Sequence, residues 1–180
     1  MQWDRGLNQD IYYELVGFAT PYLLTEFTVN SAIEGLTPGA EYKFKYRALN
    51  KYGWGEFSNS QAFQAAAIPL KANTVTTTIE NLYVKISWDE PDDQSSAIVE
   101  YEILIKHKDG VFSEQVGQFC QGSDVAIVNY RYCHVPLQSV LREAPYSLEY
   151  TDLVVAKVRA RNLIGWANEY SDENTAGALI

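Results

Sequence analysis

The chain has 180 residues, 23 acidic and 14 basic, for a net charge of −9. Neutralising phosphates takes clustered Lys and Arg, so this balance excludes nucleic acid as the expected partner. At 47 % hydrophobic residues wholesale disorder is excluded as well, no apolar run approaches the roughly 20 residues of a membrane-spanning helix, and residues 1–6 lack the basic start and apolar stretch of a secretory signal.

In chain order, the predicted elements are strands. Tyr42, Phe44, Tyr46 and Ala48 alternate with Lys43, Lys45, Arg47 and Leu49. Leu82, Val84, Ile86 and Trp88 alternate with Tyr83, Lys85 and Ser87, and Tyr101, Ile103 and Ile105 with Glu102 and Lys106. Val154, Ala156, Val158 and Ala160 alternate with Val155, Lys157, Arg159 and Arg161. Period two predicts strands with one buried and one wet face, as in antiparallel sandwiches. The 13 Tyr, 7 Phe and 4 Trp suit that architecture. Turn signals separate the runs at Thr37-Pro38-Gly39, Tyr52-Gly53-Trp54-Gly55, Pro91-Asp92-Asp93, Lys108-Asp109-Gly110 and Gln121-Gly122-Ser123-Asp124. Only Pro136 to Arg142 predicts a helical turn.

The chain also repeats itself. Arg47, Ala48, Asn50, Gly53 and Trp54 recur as Arg159, Ala160, Asn162, Gly165 and Trp166, at one offset of 112 residues that also relates Leu36 to Leu148. Two related modules are therefore expected, residues 1–67 and 68–180, with the join at Ala65-Ala66-Ala67-Ile68-Pro69. Pro69 cannot donate to a ladder and stiffens that connection.

Ile86-Ser87-Trp88-Asp89-Glu90-Pro91, Ile98-Val99-Glu100-Tyr101 and Val158-Arg159-Ala160-Arg161-Asn162-Leu163-Ile164-Gly165 together resemble a fibronectin type III domain. In the first module Leu36-Thr37-Pro38-Gly39-Ala40-Glu41-Tyr42 resembles the family's tyrosine corner, and the same A-x-N-x-x-G turn follows. The resemblance covers nearly the whole chain. It implies an all-β fold, two immunoglobulin-like (fibronectin type III) β-sandwich modules in tandem, and says little about function. Two departures qualify it. The second module has Val154 where the offset places the corner tyrosine, and an expanded middle segment holding Cys120 and Cys133. In the first, Gly6 matches Gly110 by its place after the third strand, so that module is expected to lack its first two strands within this chain. A sandwich of this kind takes about 100 residues and seven strands. The chain is then either a slice of a longer array, the favoured reading, or is completed by strands from another molecule. The Gly-Trp after A-x-N and the cysteine pair resemble, more loosely, tandem arrays in large surface proteins of unicellular eukaryotes.

Each candidate site has a plain structural alternative. Cys120 and Cys133 are expected as a disulfide of an oxidising compartment, against two reduced core cysteines. Metal binding is not expected: with His134 there are three ligands at best, and Cys133 and His134 point to opposite faces of a strand. The acidic turn Asp89-Glu90-Pro91-Asp92-Asp93 lacks the alternating spacing of a calcium loop and reads as solvated. Two basic stripes, Lys43, Lys45, Arg47 and Lys157, Arg159, Arg161, face outward and could meet a sulfated or acidic glycan; the alternative is pairing with Glu100 and Glu102 on a neighbouring strand. Trp54 and Trp166 are candidate binding anchors or, with Ile68 and Pro69, candidate joints between modules. His107 and His134 stand in no catalytic motif, so an enzyme is not expected and no cofactor is implied.

The function expected is that of a structural module pair of an extracellular or cell-surface tandem-repeat protein. It would form a fibre, coat or spacer by end-to-end stacking, with neighbouring copies or modules as partners and strand complementation as one way to link them. The alternative is an adhesion or receptor ectodomain that binds a glycan or another surface protein through loop tips or basic strand faces.

Overall fold

The structure, a computed structural model, describes residues 1–20, 22–29, 34–114 and 119–180. The chain divides into two compact units, Met1–Ala66 and Ala67–Ile180. Both are all-β in character, and every strand pair in them is antiparallel.

Unit 1 contains β1 (Gln2–Trp3), β2 (Tyr13–Glu14), β3 (Glu41–Lys45), β4 (Leu49–Asn50), β5 (Gly53–Trp54) and β6 (Gln61–Gln64). Four of them form one sheet in the order β2-β1-β3-β6, and β4 and β5 make a short hairpin. Register places Trp3 opposite Phe44 and Tyr42 opposite Phe63. Trp3 and Tyr42 are buried, and the Trp3 ring stacks on Tyr42 at 5.8 Å and on Phe44 at 6.3 Å between centroids. The Tyr42 hydroxyl accepts the Thr37 N–H at 2.9 Å and so pins the turn that leads into β3. The expected strand ends early: β3 stops at Lys45, and Tyr46 is 66 % exposed rather than buried.

Unit 2 contains β7 (Thr76–Glu80), β8 (Tyr83–Ser87), β9 (Glu100–Lys106), β10 (Phe112–Glu114), helix α1 (Val125–Tyr130), β11 (Tyr132–Pro136), a π-helical turn at Leu137–Leu141 and β12 (Ala156–Arg161). Sheets β11-β8-β7 and β10-β9-β12 pack face to face as a sandwich. Val84, Ile86, Cys133 and Val135 of the first sheet meet Tyr101, Ile103, Ile105, Ala156 and Val158 of the second. The alternation in sequence is thus the inside-outside alternation of the strands. Leu82, expected inward, sits at the β7–β8 hairpin tip and is exposed. Trp88 meets Tyr101 edge-on at 5.2 Å, and burial pushes the Tyr101 phenol up to about 12, with the nearby Glu90 charge acting in the same direction.

Helix α1 is the element that alternation does not predict. Asp124 caps it, its carboxylate accepting the Ala126 N–H at 2.8 Å, and Arg131 closes it in the left-handed conformation. It lies inside the loop closed by the Cys120–Cys133 disulfide. Gly122, just before it, crosses the backbone of β9 so closely that a Cβ there would lie 1.6 Å from the Tyr101 carbonyl oxygen.

The last segment of the chain runs beside β12 without forming a regular strand, because side chains make part of the ladder. The Ser171 hydroxyl accepts the Val158 N–H at 3.1 Å, and the Asn174 side-chain carbonyl accepts the Ala156 N–H at 2.8 Å. Asn174 also donates to the Val154 carbonyl at 2.9 Å. Both are buried polar residues with their groups satisfied.

Candidate functional site

Two features of unit 1 differ from their counterparts in unit 2, and both lie on the strand that repeats. The first is the inward face of β3. At the offset of 112 residues, Tyr42, Phe44 and Tyr46 correspond to Val154, Ala156 and Val158, all three fully buried under the β7–β8–β11 sheet. In unit 1 only Tyr42 is buried; Phe44 is half-buried and its neighbour Phe63 is 58 % exposed. Around them Met1, Phe27, Val29 and Tyr46 line an apolar groove of about 380 Å³.

The second is the outward face, which carries the basic stripes. In unit 2, Lys157 Nζ lies 4.2 Å from the Phe112 ring centroid and 4.8 Å from that of Tyr170. Arg159 lies 4.7 Å from Tyr170 and 5.0 Å from Trp166, and Arg161 5.7 Å from Trp166. Rings and cations alternate along the face. Unit 1 builds the same ladder: Lys45 is 3.8 Å from Tyr12 and 4.8 Å from Phe57, and Arg47 is 4.4 Å from Phe57 and 4.8 Å from Trp54. Contacts of this kind contribute about 0.5–1 kcal/mol each at exposed positions and also cover the aliphatic stems. Lys43, at the foot of the first stripe, has no ring packed on it among the described residues.

Counter-charges separate the two ladders. Arg159 Nε donates to Glu102, and the Tyr170 hydroxyl donates to the same carboxylate at 2.6 Å. Arg161 donates to Glu100 at 2.8 Å. Burial, then the hydrogen bond and charge of Glu102, push the Tyr170 phenol up to about 12. The two arginines of the unit 2 stripe are therefore paired with acids of the neighbouring strand, which is the pairing alternative to a polyanion-facing surface, while Lys157 stands opposite Leu104 with no described acid on it. No described acid does this for Lys45 or Arg47.

The other candidates have local roles. Cys120 and Cys133 form the disulfide, and both are buried. Ile68 packs against the Gly165 turn and Pro69 is buried, both within unit 2. Trp166 is half-buried beneath its arginines, while Trp54 is 42 % exposed. Asp92 and Asp93 spend a carboxylate oxygen each on the N–H groups of Gln94 and Ser95, closing their own turn, and Glu90 pairs with Arg131 at 3.1 Å. His107 hydrogen-bonds the Ser113 hydroxyl at 2.7 Å, and His134 bonds Glu80 at 2.9 Å. Among the described residues no group of three His, Cys, Asp or Glu is placed to hold a metal ion, and no helix is long and apolar enough to cross a membrane.

Sequence reasoning found the cations and both tryptophans but missed the rings between them. Phe112 is brought alongside by the β9–β10 pairing and Tyr12 stands just before β2, whereas Phe57 and Tyr170 lie in the segments that follow the two stripes.

No protein-family model matches the sequence. Among solved structures the chain is similar to the crystal structure of chicken CNTN1 FN1-FN3 domains, at 13 % identity and a TM-score of 0.42. The match covers 96 % of this chain and 53 % of that one, so the chain spans about half its length. At that overlap, the sandwich assignment rests on the sheets of this chain itself.

Proposed function

We propose that the chain is a pair of extracellular structural modules that works in a larger assembly, a fibre, coat or spacer, in which β-strands laid on unit 1 complete its sandwich. The observation that carries this reading is the uncovered face of β3. The same strand in unit 2 has every equivalent side chain buried under a second sheet, whereas unit 1 leaves Phe44, Tyr46 and Phe63 partly open to water. Burying an aromatic side chain contributes roughly 1.5–3 kcal/mol, so three such rings give a large drive to acquire a cover. Open strand edges add hydrogen-bonding groups that a donated strand satisfies. The disulfide of unit 2 suits an oxidising compartment.

Electron microscopy and sedimentation of the native material test this. A filament or ordered layer with a regular axial repeat is expected, and Phe63→Asp should disperse it by placing a charge on the covered face. A monodisperse monomer in which unit 1 unfolds cooperatively, indifferent to Phe63→Asp, would overturn the reading. An adhesion or receptor role would then take its place.

A further inference from the structure

We infer that unit 2 carries an O-linked sugar on Thr76, packed across the outer face of the β7–β8–β11 sheet against Tyr132. The inference rests on the reading of the chain as extracellular, with its disulfide formed in an oxidising compartment, and not on whether unit 1 is completed from outside. Three successive threonines open β7, and the pleat separates their roles. Thr77 is buried and its hydroxyl is in use: Oγ1 donates to the Val154 carbonyl at 3.3 Å and accepts the Ala178 N–H at 3.0 Å. Thr76 and Thr78 point to the other face and are exposed, and their hydroxyls have no hydrogen-bond partner among the described residues. Strand propensity accounts for a branched side chain at such positions and leaves the hydroxyl itself without a use.

Strand register decides between the two. Thr76 stands opposite Ser87 and Ser87 opposite Tyr132, so one row of the outer face runs Thr76, Ser87, Tyr132. Strands lie about 4.8 Å apart, so this row is about 10 Å wide, with its smallest side chain in the middle. At its far end Tyr132 is half-buried, and the Tyr130 ring, 68 % exposed, lies 6.3 Å beyond it. A pyranose carried on Thr76 Oγ1 lies over Ser87, its C–H face against the Tyr132 ring and its hydroxyls in water. The next row runs Thr78, Lys85, His134, and there the middle is filled. Lys85 Nζ lies 3.3 Å from one Glu80 oxygen and 4.7 Å from the Tyr132 ring centroid, and His134 bonds the other Glu80 oxygen at 2.9 Å. A sugar on Thr78 would have to displace that network, so Thr76 is the better-placed acceptor. Attachment is a glycosyl transfer from a nucleotide- or lipid-linked sugar phosphate. Thr76 Oγ1 bonds to the sugar's C1, the bond from C1 to the phosphate oxygen breaks, and the hydroxyl proton leaves to a base of the transferase. Because β7 is an outer strand of its sheet, Thr76 is within reach of such an enzyme.

The test uses the chain as its native source makes it. Trypsin, cutting after Lys71 and Lys85, releases residues 72–85 as one peptide. Fragmentation that keeps sugars attached should place hexose or hexosamine increments on Thr76 and none on Thr77. Thr76→Val, which keeps the branched shape, should lose the increments while the circular dichroism of the chain stays unchanged. Without the sugar, nitration of Tyr132 should rise, whereas nitration of Tyr150, 79 % exposed in a different loop, should not change. Thr78→Val should leave the increments on Thr76 in place. An unmodified peptide, sugar found only at Thr74, Thr77 or Thr78, or equal nitration of Tyr132 with and without the sugar would each overturn the inference. An unmodified peptide from a chain that nonetheless forms filaments would overturn the sugar alone and leave the assembly reading standing.

Discussion

Asn162 and Asn50 occupy the same place in the repeat and do different work. Asn162 is buried; its side-chain carbonyl accepts the N–H groups of Ile164 and Gly165, and its amide donates to the carbonyls of Ala67 and Asp93. Asn50 closes its own turn by accepting the Tyr52 N–H at 2.8 Å, but is exposed. The local turn contact is thus kept in both modules, whereas Asn162 also ties its turn to segments distant in sequence. The same holds for the ladder residues. In unit 2 Tyr170 shares the Glu102 carboxylate with Arg159, and its phenol is held up at about 12 by burial first and by Glu102 second. Glu102→Gln removes a negative charge that disfavours the phenolate. The Tyr170 pKa should then fall toward the ordinary value near 10 without reaching it, because burial persists. Titration followed by NMR of the Tyr170 ring checks this; an unchanged value would show that Glu102 has no part in the shift.

At the scale of elements, the loop from Cys120 to Cys133 is where the fold departs most from plain alternation. A 13-residue separation closed by a disulfide restricts the unfolded chain by about 3 kcal/mol on the loop-entropy account. Within that loop a six-residue helix stands, although helices this short are not stable by themselves. Its Asp124 cap, the buried Ile127 and the covalent closure hold it together. The double substitution Cys120→Ala, Cys133→Ala should lower the stability of unit 2 by about 3 kcal/mol in urea titrations. Amide exchange should rise first in residues 119–131. A loss below about 0.5 kcal/mol would mean that packing of Cys120 and Cys133 alone fixes the loop.

For the molecule as a whole, the core is unevenly distributed. The contiguous cluster of buried apolar residues belongs wholly to unit 2, from Ala72 to Ile180, while unit 1 buries Trp3 and Tyr42 and leaves much of its aromatic surface open. A four-stranded sheet covered on one face by little but its own rings gains less from burial per ordered residue. Hydrogen exchange on the intact chain should therefore show the slowest amides in β8, β9 and β12. Amides of β1, β3 and β6 should exchange at least about tenfold faster, which corresponds to an opening free energy lower by about 1.4 kcal/mol. Equal protection in the two units would show that unit 1 is closed in solution by contacts of its own, and would weaken the case for a completing strand.

Much of this was legible from residues. Period-two alternation located β8, β9 and β12 and assigned their inward faces, because a strand with one wet face writes its burial directly into every second side chain. The 112-residue offset located the repeated turn, because a turn's needs are local: an Asn to bind its backbone and a Gly after it. The cysteine pair could be read because two thiols a short loop apart in a β module have few other uses. Three things could not be read. Whether the alternation in Tyr42–Ala48 ends in burial depends on a second sheet that no local pattern contains, so Phe44 and Tyr46 look as apolar as their buried counterparts. Which cations are neutralised depends on register, since Glu102 reaches Arg159 only once β9 lies beside β12. Which rings sheathe the stripes depends on how the chain folds back, since Trp54, Phe57, Trp166 and Tyr170 follow their cations in sequence while Tyr12 and Phe112 come from distant segments. The sequence by itself determined the all-β character, the strands β8, β9 and β12 and the repeated turn, all set by neighbours along the chain. The tertiary structure alone decided which faces are covered and which charges are satisfied, because burial and pairing are properties of what lies across from a strand.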